Sequence, residues 1–271
     1  MADTAAQMTM LTRMGFAARG LIYIVISVLV LTSGQAKDPE GALRYLGEGS
    51  GRILLLLMTL GLVAYGLWRF ADTAFNIDRH GTDNSGIVER LGAAASGIIH
   101  LLLAWQAVKL IQGINNSGGS GTSGGDGAQD SAQSVLQFPG GGTLLMIVGL
   151  ILLAVGLLQF MKAAKGSYLK HLEPSIAQQP WAKWSGRMGY AARGIIFVIT
   201  GFFLCSAGLE EQASEAGGMG TALSWLDSPW DLIVATGLLA FGLFSLIEAR
   251  YRVLHDIPVE TIGQRVKSKL Q

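Results

Sequence analysis

Charged residues are scarce in this chain. They make up 14% of its 271 residues, whereas soluble domains carry about 25%. The single cysteine, Cys205, excludes a disulfide scaffold, and the net charge of +1 excludes nucleic-acid binding through a basic surface. Hydrophobic residues reach 50% and the mean hydropathy is +0.42, which excludes a disordered chain. This composition is typical of an integral membrane protein.

Residue patterns that carry chemistry are also missing. The Gly-rich run from Ser117 to Gly127 lacks the Gly-Lys-Ser/Thr ending of a phosphate loop, so it predicts a flexible external linker. The histidines have no metal-ligand spacing, and Cys205 has no acid–base partner near it. We therefore expect no enzyme activity, no metal and no cofactor. The histidines are His80, His100, His171 and His255.

Long apolar runs are what the chain has instead. A helix needs about 20 mostly apolar residues to cross a bilayer core of about 30 Å. Six runs meet or nearly meet this length, and they predict an all-α integral membrane fold with six transmembrane helices. The runs are Met14 to Ser33, Ile53 to Ala71, Leu91 to Ile111, Thr143 to Ala163, Met188 to Ala207 and Trp230 to Ala249.

The distribution of Lys and Arg predicts the orientation. With a cytoplasmic N-terminus, the outer face keeps only Lys37, Arg44, Arg52 and Lys109 of the 20 basic residues. Acidic residues show no such bias, as the positive-inside rule requires. We expect a multi-pass protein of the inner (plasma) membrane with both termini cytoplasmic.

One short motif occurs three times. Arg-(Leu/Met)-Gly-x-Ala-Ala-x-Gly-(Leu/Ile)-Ile begins at Arg13, Arg90 and Arg187. A second motif, Ala-x-Gly-Leu, recurs in the second helix of each hairpin, beginning at Ala64, Ala154 and Ala240. The first apolar run could be a cleavable signal peptide. Because the same element returns twice inside the chain, we favour a transmembrane helix.

The repeats predict the organisation of the chain. Each begins and ends on the same side, so they are parallel repeats around a pseudo-threefold axis along the membrane normal. We expect three two-helix repeats and a basic cytoplasmic tail. Their boundaries are 10–86, 87–175 with a long Gly/Ser external loop at 113–142, 184–255, and 256–271 for the tail.

The block Arg187-Met-Gly-Tyr-Ala-Ala-Arg-Gly194, followed by a helix ending near Glu248, resembles the bacterial domain-of-unknown-function 1206 family. The resemblance covers roughly residues 10 to 255 and is weakest in the second repeat, where Ala93 and Ser96 replace an aromatic residue and an arginine. It implies a two-helix membrane unit in three tandem copies in a bacterial membrane. It implies no activity.

Ionisable residues inside the membrane require partners. Arg19 and Arg193 hold equivalent positions in the first helices, and Asp72 and Glu248 do so in the second helices. In the second repeat both positions change together, to Ser96 and Lys162. We therefore expect the ion pairs Arg19–Asp72 and Arg193–Glu248, each within one hairpin. Simple snorkelling of the arginines to headgroups is the alternative.

The third span is the most polar of the six. His100, Gln106, Lys109 and Gln112 spread over more than half of its circumference. This helix is the best candidate to line a polar path, although a lone intramembrane histidine more often bonds a neighbouring helix.

Small residues let membrane helices approach closely, so we expect the motif glycines to pack helices together. They are Gly15, Gly20, Gly92, Gly97, Gly189 and Gly194.

Two functions follow from these features. We favour a non-catalytic accessory or scaffold component of a membrane assembly, in contact with the lipid bilayer and with a membrane-protein partner or a second copy. The alternative is a pore or carrier for a small solute or ion, using the pseudo-axis and the polar third helix. An apolar axis would favour the first function.

Overall fold

The computed structural model describes residues 2–34, 36–37, 39–47, 51–75, 84–112 and 126–253. The predicted tail 256–271 and most of the Ser117–Gly127 run lie outside these ranges. Within them the regular structure is helical, apart from an isolated bridge between Leu172 and Arg252, and turns or short irregular segments connect the helices. The α-helices are α1 (Ala2–Ser33), α2 (Pro39–Gly47), α3 (Arg52–Phe75), α4 (Asn84–Ile111), α5 (Asp126–Leu136), α6 (Gly141–Lys165), α7 (Pro174–Ala177), α8 (Pro180–Glu210), α9 (Met219–Trp225) and α10 (Trp230–Tyr251).

Six of these helices are long and apolar enough to cross a membrane, which confirms the predicted spans. They are α1, α3, α4, α6, α8 and α10. Glycines in the left-handed region flank α6, Gly140 at φ 80° and Gly166 at φ 67°, where a side chain would be strained. Pro180 stands at the start of α8, where its missing N–H costs nothing.

The long helices pack in the order α6, α8, α10, α1, α3, α4. The first and third repeats form hairpins, α1 with α3 and α8 with α10. The second repeat differs, because its described residues do not pack α4 along α6: α4 lies against α3, and α6 lies against α8. The predicted second hairpin is therefore open, and the pseudo-threefold axis stays a prediction.

Equivalent glycines join each repeat to the one before it. A Cβ placed at Gly20 would stand 2.8 Å from the carbonyl oxygen of Gly242, and α1 therefore lies directly against α10. The contact between Gly97 and Gly66 joins α4 to α3 in the same way, and that between Gly194 and Gly156 joins α8 to α6. Each first helix thus lies against the second helix of the preceding repeat, with the first repeat following the third.

The hairpin contact depends on a second glycine of the motif. A Cβ at Gly15 would stand 2.6 Å from Tyr65, and one at Gly189 the same distance from Phe241. At Gly92, the equivalent position in the second repeat, no heavy atom of another described helix lies within 4 Å of such a Cβ. Gly92 was predicted to pack helices, and the structure corrects this. The other five predicted glycines lie in helix contacts.

A bulky residue accounts for the open hairpin. Gly61 lies against Ala18 in the first repeat, and Gly237 lies against Ala192 in the third. The second repeat has Ile151 at this position, and its side chain is exposed. A branched side chain here keeps α4 and α6 from the approach that glycine permits.

The middle of the bundle is apolar. One cluster of buried side chains includes Ile26, Met58, Leu62, Ile196 and Leu238, contributed by α1, α3, α8 and α10. The short helices α2 and α9 cover it at one end with Leu43 and Leu223. The sequence Ala42-Leu-Arg-Tyr-Leu46 of α2 is similar to Ala222-Leu-Ser-Trp-Leu226 of α9, and the two segments hold similar positions in the structure.

The connections add two features. The predicted external loop at 113–142 contains α5, which packs against α6 and the turn at Ala213–Glu215. At the other end, the Tyr168 hydroxyl donates to the Lys183 carbonyl oxygen at 2.6 Å. Burial raises the pKa of Tyr168, and nearby Arg187 opposes this to a smaller extent, so the phenol stays protonated as a donor.

The motif glycines provide a matched stability test. Gly15→Ala and Gly189→Ala should each lower the free energy of unfolding by about 1–3 kcal/mol, because the added methyl overpacks the hairpin. Gly92→Ala should leave it unchanged or raise it by up to about 1 kcal/mol, through helix propensity. Thermal unfolding in mild detergent, monitored by the loss of the folded peak in size-exclusion chromatography, measures the stability of all three variants. Equal losses in the three variants would contradict the open second hairpin.

Candidate functional site

Buried charges cluster at one end of the bundle, called the basic end below, which carries Arg19, Arg69, Arg193 and Arg252. The Arg19 guanidinium lies between α1, α3 and α10 and is buried. Its Nε donates to Ser245 Oγ at 3.1 Å and its Nη1 to the Tyr65 hydroxyl at 3.0 Å. Nη2 donates to Glu248 Oε2 at 2.5 Å.

Glu248 lies between two arginines. Its Oε1 accepts from Arg252 Nη1 at 2.8 Å, while Oε2 accepts from Arg19. The Arg252 guanidinium lies over the rings of Phe16 and Trp68. A carboxylate buried at membrane depth is tolerated only when it is paired and hydrogen-bonded. Here both of its oxygens accept from a guanidinium.

This arrangement corrects the predicted pairing. Arg19 pairs with Glu248 of the third repeat rather than with Asp72 of its own hairpin. Asp72 is fully buried, and an ion pair at 3.8 Å joins it to Arg69 on the same helix. The physical reason is the glycine contact, because Gly20 brings α1 against α10. Arg19 is the residue directly before Gly20. The charges therefore connect repeats.

Arg193 has no carboxylate partner among the described residues. Its guanidinium lies over the rings of Phe241, Phe197 and Tyr23, at 4.5, 5.0 and 5.6 Å from their centroids. Its buried Nε has no hydrogen-bond partner in the part of the chain that the structure describes. The predicted pair Arg193–Glu248 does not form, because Arg19 and Arg252 bind the two carboxylate oxygens.

The predicted polar residues of α4 do not come together. His100 Nδ1 lies 2.7 Å from the Ser96 carbonyl oxygen, and its ring lies 4.4 Å from that of Tyr65. Lys109 lies over the ring of Trp105, an exposed side chain. Gln106 is partly buried, and Gln112 is exposed at the end of the helix. His100 therefore faces a neighbouring helix, and the described contacts join it to none of the other three residues.

Three residues of the buried cluster escaped the sequence analysis: Tyr65, Ser245 and Arg252. At the positions equivalent to Tyr65 and Ser245 the other repeats have different residues, so a comparison of the repeats does not single these two out. The described residues contain no group of three His, Cys, Asp or Glu that could hold a metal ion.

Comparison with known proteins agrees with the three-repeat organisation. The model of a family described as Domain of Unknown Function (DUF1206) matches residues 14–76, 91–166 and 188–252. The chain is also similar to the "Uncharacterized protein YxxB" of Bacillus subtilis (strain 168), with 28% identity over 253 residues, which cover 89% of this chain and 90% of that protein. No solved structure matches.

Glu248 should be coupled energetically to Arg19 and not to Arg193. In a double-mutant cycle of Arg19→Met and Glu248→Gln, we expect a coupling of about 1–3 kcal/mol, because these side chains share a buried contact. The cycle of Arg193→Met and Glu248→Gln is the control and should be additive within about 0.5 kcal/mol. Unfolding in detergent, monitored by tryptophan fluorescence, measures the free energies of unfolding for both cycles. A larger coupling for Arg193 would restore the predicted hairpin pairs.

Proposed function

This chain belongs to the DUF1206 family, and from its open second hairpin we propose that it is a non-catalytic scaffold subunit that binds a transmembrane helix of a partner protein between α4 and α6. We place it in the inner membrane with both termini cytoplasmic, because the basic residues concentrate on the side of the termini.

The surroundings of Gly92 carry this proposal. Gly15 and Gly189 each accept a helix of their own repeat, with an aromatic side chain against the glycine. Gly92 belongs to the same motif, and no other helix in the described part of the chain comes within 4 Å of a Cβ placed there. Ala95 is exposed, whereas the equivalent Ala18 and Ala192 are buried. A helix is therefore the occupant that this surface fits.

Small residues give the surface its specificity for a helix. Apolar side chains gain little from leaving lipid for another apolar surface, so membrane helices associate through close backbone approach. Gly92, Ala95 and Ser96 provide a flat strip on α4, bordered by the exposed side chain of Ile99. The bound helix would replace the contact that Ile151 prevents within the repeat.

The apolar middle of the bundle supports a scaffold over a pore. Ile26, Met58, Leu62 and Leu238 are fully buried in one apolar cluster contributed by α1, α3 and α10. His100 faces Tyr65, and Lys109 lies over Trp105, so the contacts of the described residues do not join these two side chains along one path.

Photo-crosslinking in native membranes tests this function. A photoreactive amino acid at Ile99 or Ile151 should give one adduct of defined mass, because both positions border the opening between α4 and α6. The controls are Leu57 on α3 and Ile233 on α10, which are exposed to a similar extent and should give no such adduct. Mass spectrometry identifies the adduct.

Three results would contradict the proposal. They are the absence of an adduct at Ile99 and Ile151, the same adducts at the control positions, and an adduct with a second copy of this chain. The last result would make the surface a homo-oligomer interface.

A further inference from the structure

The three contacts between repeats have the same register. Gly20 lies against Gly242 and Leu246, and Gly194 lies against the equivalent residues Gly156 and Phe160. In the remaining contact, Gly97 lies against Gly66 and Phe70. Equivalent positions of different repeats therefore lie opposite each other, and the three charged sites can be compared side by side.

A second set of contacts supports this register at the basic end. Arg187 Nε donates to the Ala163 carbonyl oxygen at 3.2 Å, and Arg90 Nε donates to the Thr73 carbonyl oxygen at 3.0 Å. Arg187 and Arg90 are equivalent, as are Ala163 and Thr73. The contact of α8 with α6 thus repeats the contact of α4 with α3.

The register places two residues of α6 opposite Arg193. Arg19 lies opposite Ser245 and Glu248, whose equivalents in the second repeat are Gln159 and Lys162. In the third repeat, Phe241 stands at the position that Tyr65 holds in the first repeat. Two of the three oxygen acceptors of Arg19 are therefore lost at Arg193, one to a ring and one to a cation, while the amide of Gln159 still offers an oxygen.

The remaining contact between repeats keeps its acid. Ser96 replaces the arginine there, and Arg69 and Asp72 occupy the positions of Ser245 and Glu248. Among the described sites, only that of Arg193 has an arginine in the first helix and a cation at the acid position.

Two buried atoms at this site have no hydrogen-bond partner among the described ranges. They are Arg193 Nε and Gln159 Oε1, the atoms equivalent in position to the bonded pair Arg19 Nε and Ser245 Oγ. Gln159 is only 7% exposed. A buried donor and a buried acceptor without partners are costly. A ligand that offers both an oxygen acceptor and a hydroxyl or other donor would satisfy both.

The charge at the site selects an anion. Arg193 and Lys162 are both cationic, and the charges of Arg69 and Lys170 also act on Lys162. Glu89 is the one acid among the charges that act on Lys162, against Arg69, Arg193 and Lys170, and the side chains of Glu89 and Lys162 are both exposed. The site therefore has an excess of positive charge in a region where guanidinium groups favour oxyanions.

We propose that Arg193, Gln159 and Lys162 form a binding site for a phosphate group, at the contact between α8 and α6. Phosphate oxygens accept from the Arg193 guanidinium and the Lys162 ammonium, and a hydroxyl of the ligand donates to Gln159 Oε1. Gln159 lies six residues before the end of α6 at Lys165, a depth of about 9 Å along the helix. A lipid headgroup and a free phosphate share this chemistry. The site does not depend on the proposed scaffold function.

Ligand-induced thermal stabilisation of the full-length protein tests the site. Protein in mild detergent is stripped of lipid and titrated with dihexanoyl phosphatidic acid or with inorganic phosphate. Dihexanoylglycerol, which lacks the phosphate, and sodium chloride at equal ionic strength are the controls. Stabilisation by the phosphatidic acid alone identifies a lipid headgroup, and stabilisation by inorganic phosphate identifies a free phosphate. Stabilisation by neither, or an equal effect of the controls, would overturn the proposal.

Two variants tie the effect to the site. Arg193→Met should raise the half-saturating concentration of the active phosphate at least tenfold. Lys162→Glu restores the acid that Arg19 has in Glu248, so it should stabilise the ligand-free protein and remove the shift. Arg44→Met, at a surface pair at the other end, should bind like the parent protein. Unchanged binding by Lys162→Glu would overturn the proposal even if Arg193→Met failed to fold.

Discussion

The close approach of Gly20 to Gly242 is the contact on which the rest of the structure depends. It brings the first repeat against the third, and it places Arg19 within reach of Ser245 and Glu248. In a membrane, apolar burial gives helices little reason to associate. Backbone approach and buried hydrogen bonds must therefore hold the helices together, and here one pair of helices provides both.

The repeats are alike in backbone contact and different in charge. The same glycine pair recurs at all three contacts, whereas the polar groups beside it form a carboxylate bridge between two arginines, an arginine–aspartate pair, and an arginine held by aromatic rings. Duplication of one hairpin would preserve the geometry and free the side chains to diverge. The proposed partner surface and two of the three residues of the proposed phosphate site, Gln159 and Lys162, belong to the second repeat, which departs most from the motif.

The sequence was sufficient to predict the six spans and the three repeats, because long apolar runs and recurring glycines are local signals. It was not sufficient for the ion pairs. Arg19 and Glu248 are separated by almost the whole chain, and equivalent positions in repeats permit pairing either within or between copies. The joint change to Ser96 and Lys162 favours pairing within each hairpin, because pairing between repeats leaves Arg193 opposite Lys162 and Asp72 opposite Ser96. The position of α10 against α1 nevertheless decides for pairing between repeats. The open hairpin did have a sequence signal, since Ile151 stands where the other repeats have Gly61 and Gly237.

Splitting the chain between Gln112 and Asp126 tests the head-to-tail contact of the repeats most directly. The account predicts that the two co-expressed halves copurify, because α1 packs against α10 while α4 and α6 share no such contact. Gly242→Leu should abolish copurification, since its side chain would collide with α1, whereas Leu243→Ala, on the exposed face of α10, should preserve it. Halves that fail to associate, or that still associate after Gly242→Leu, would contradict the account.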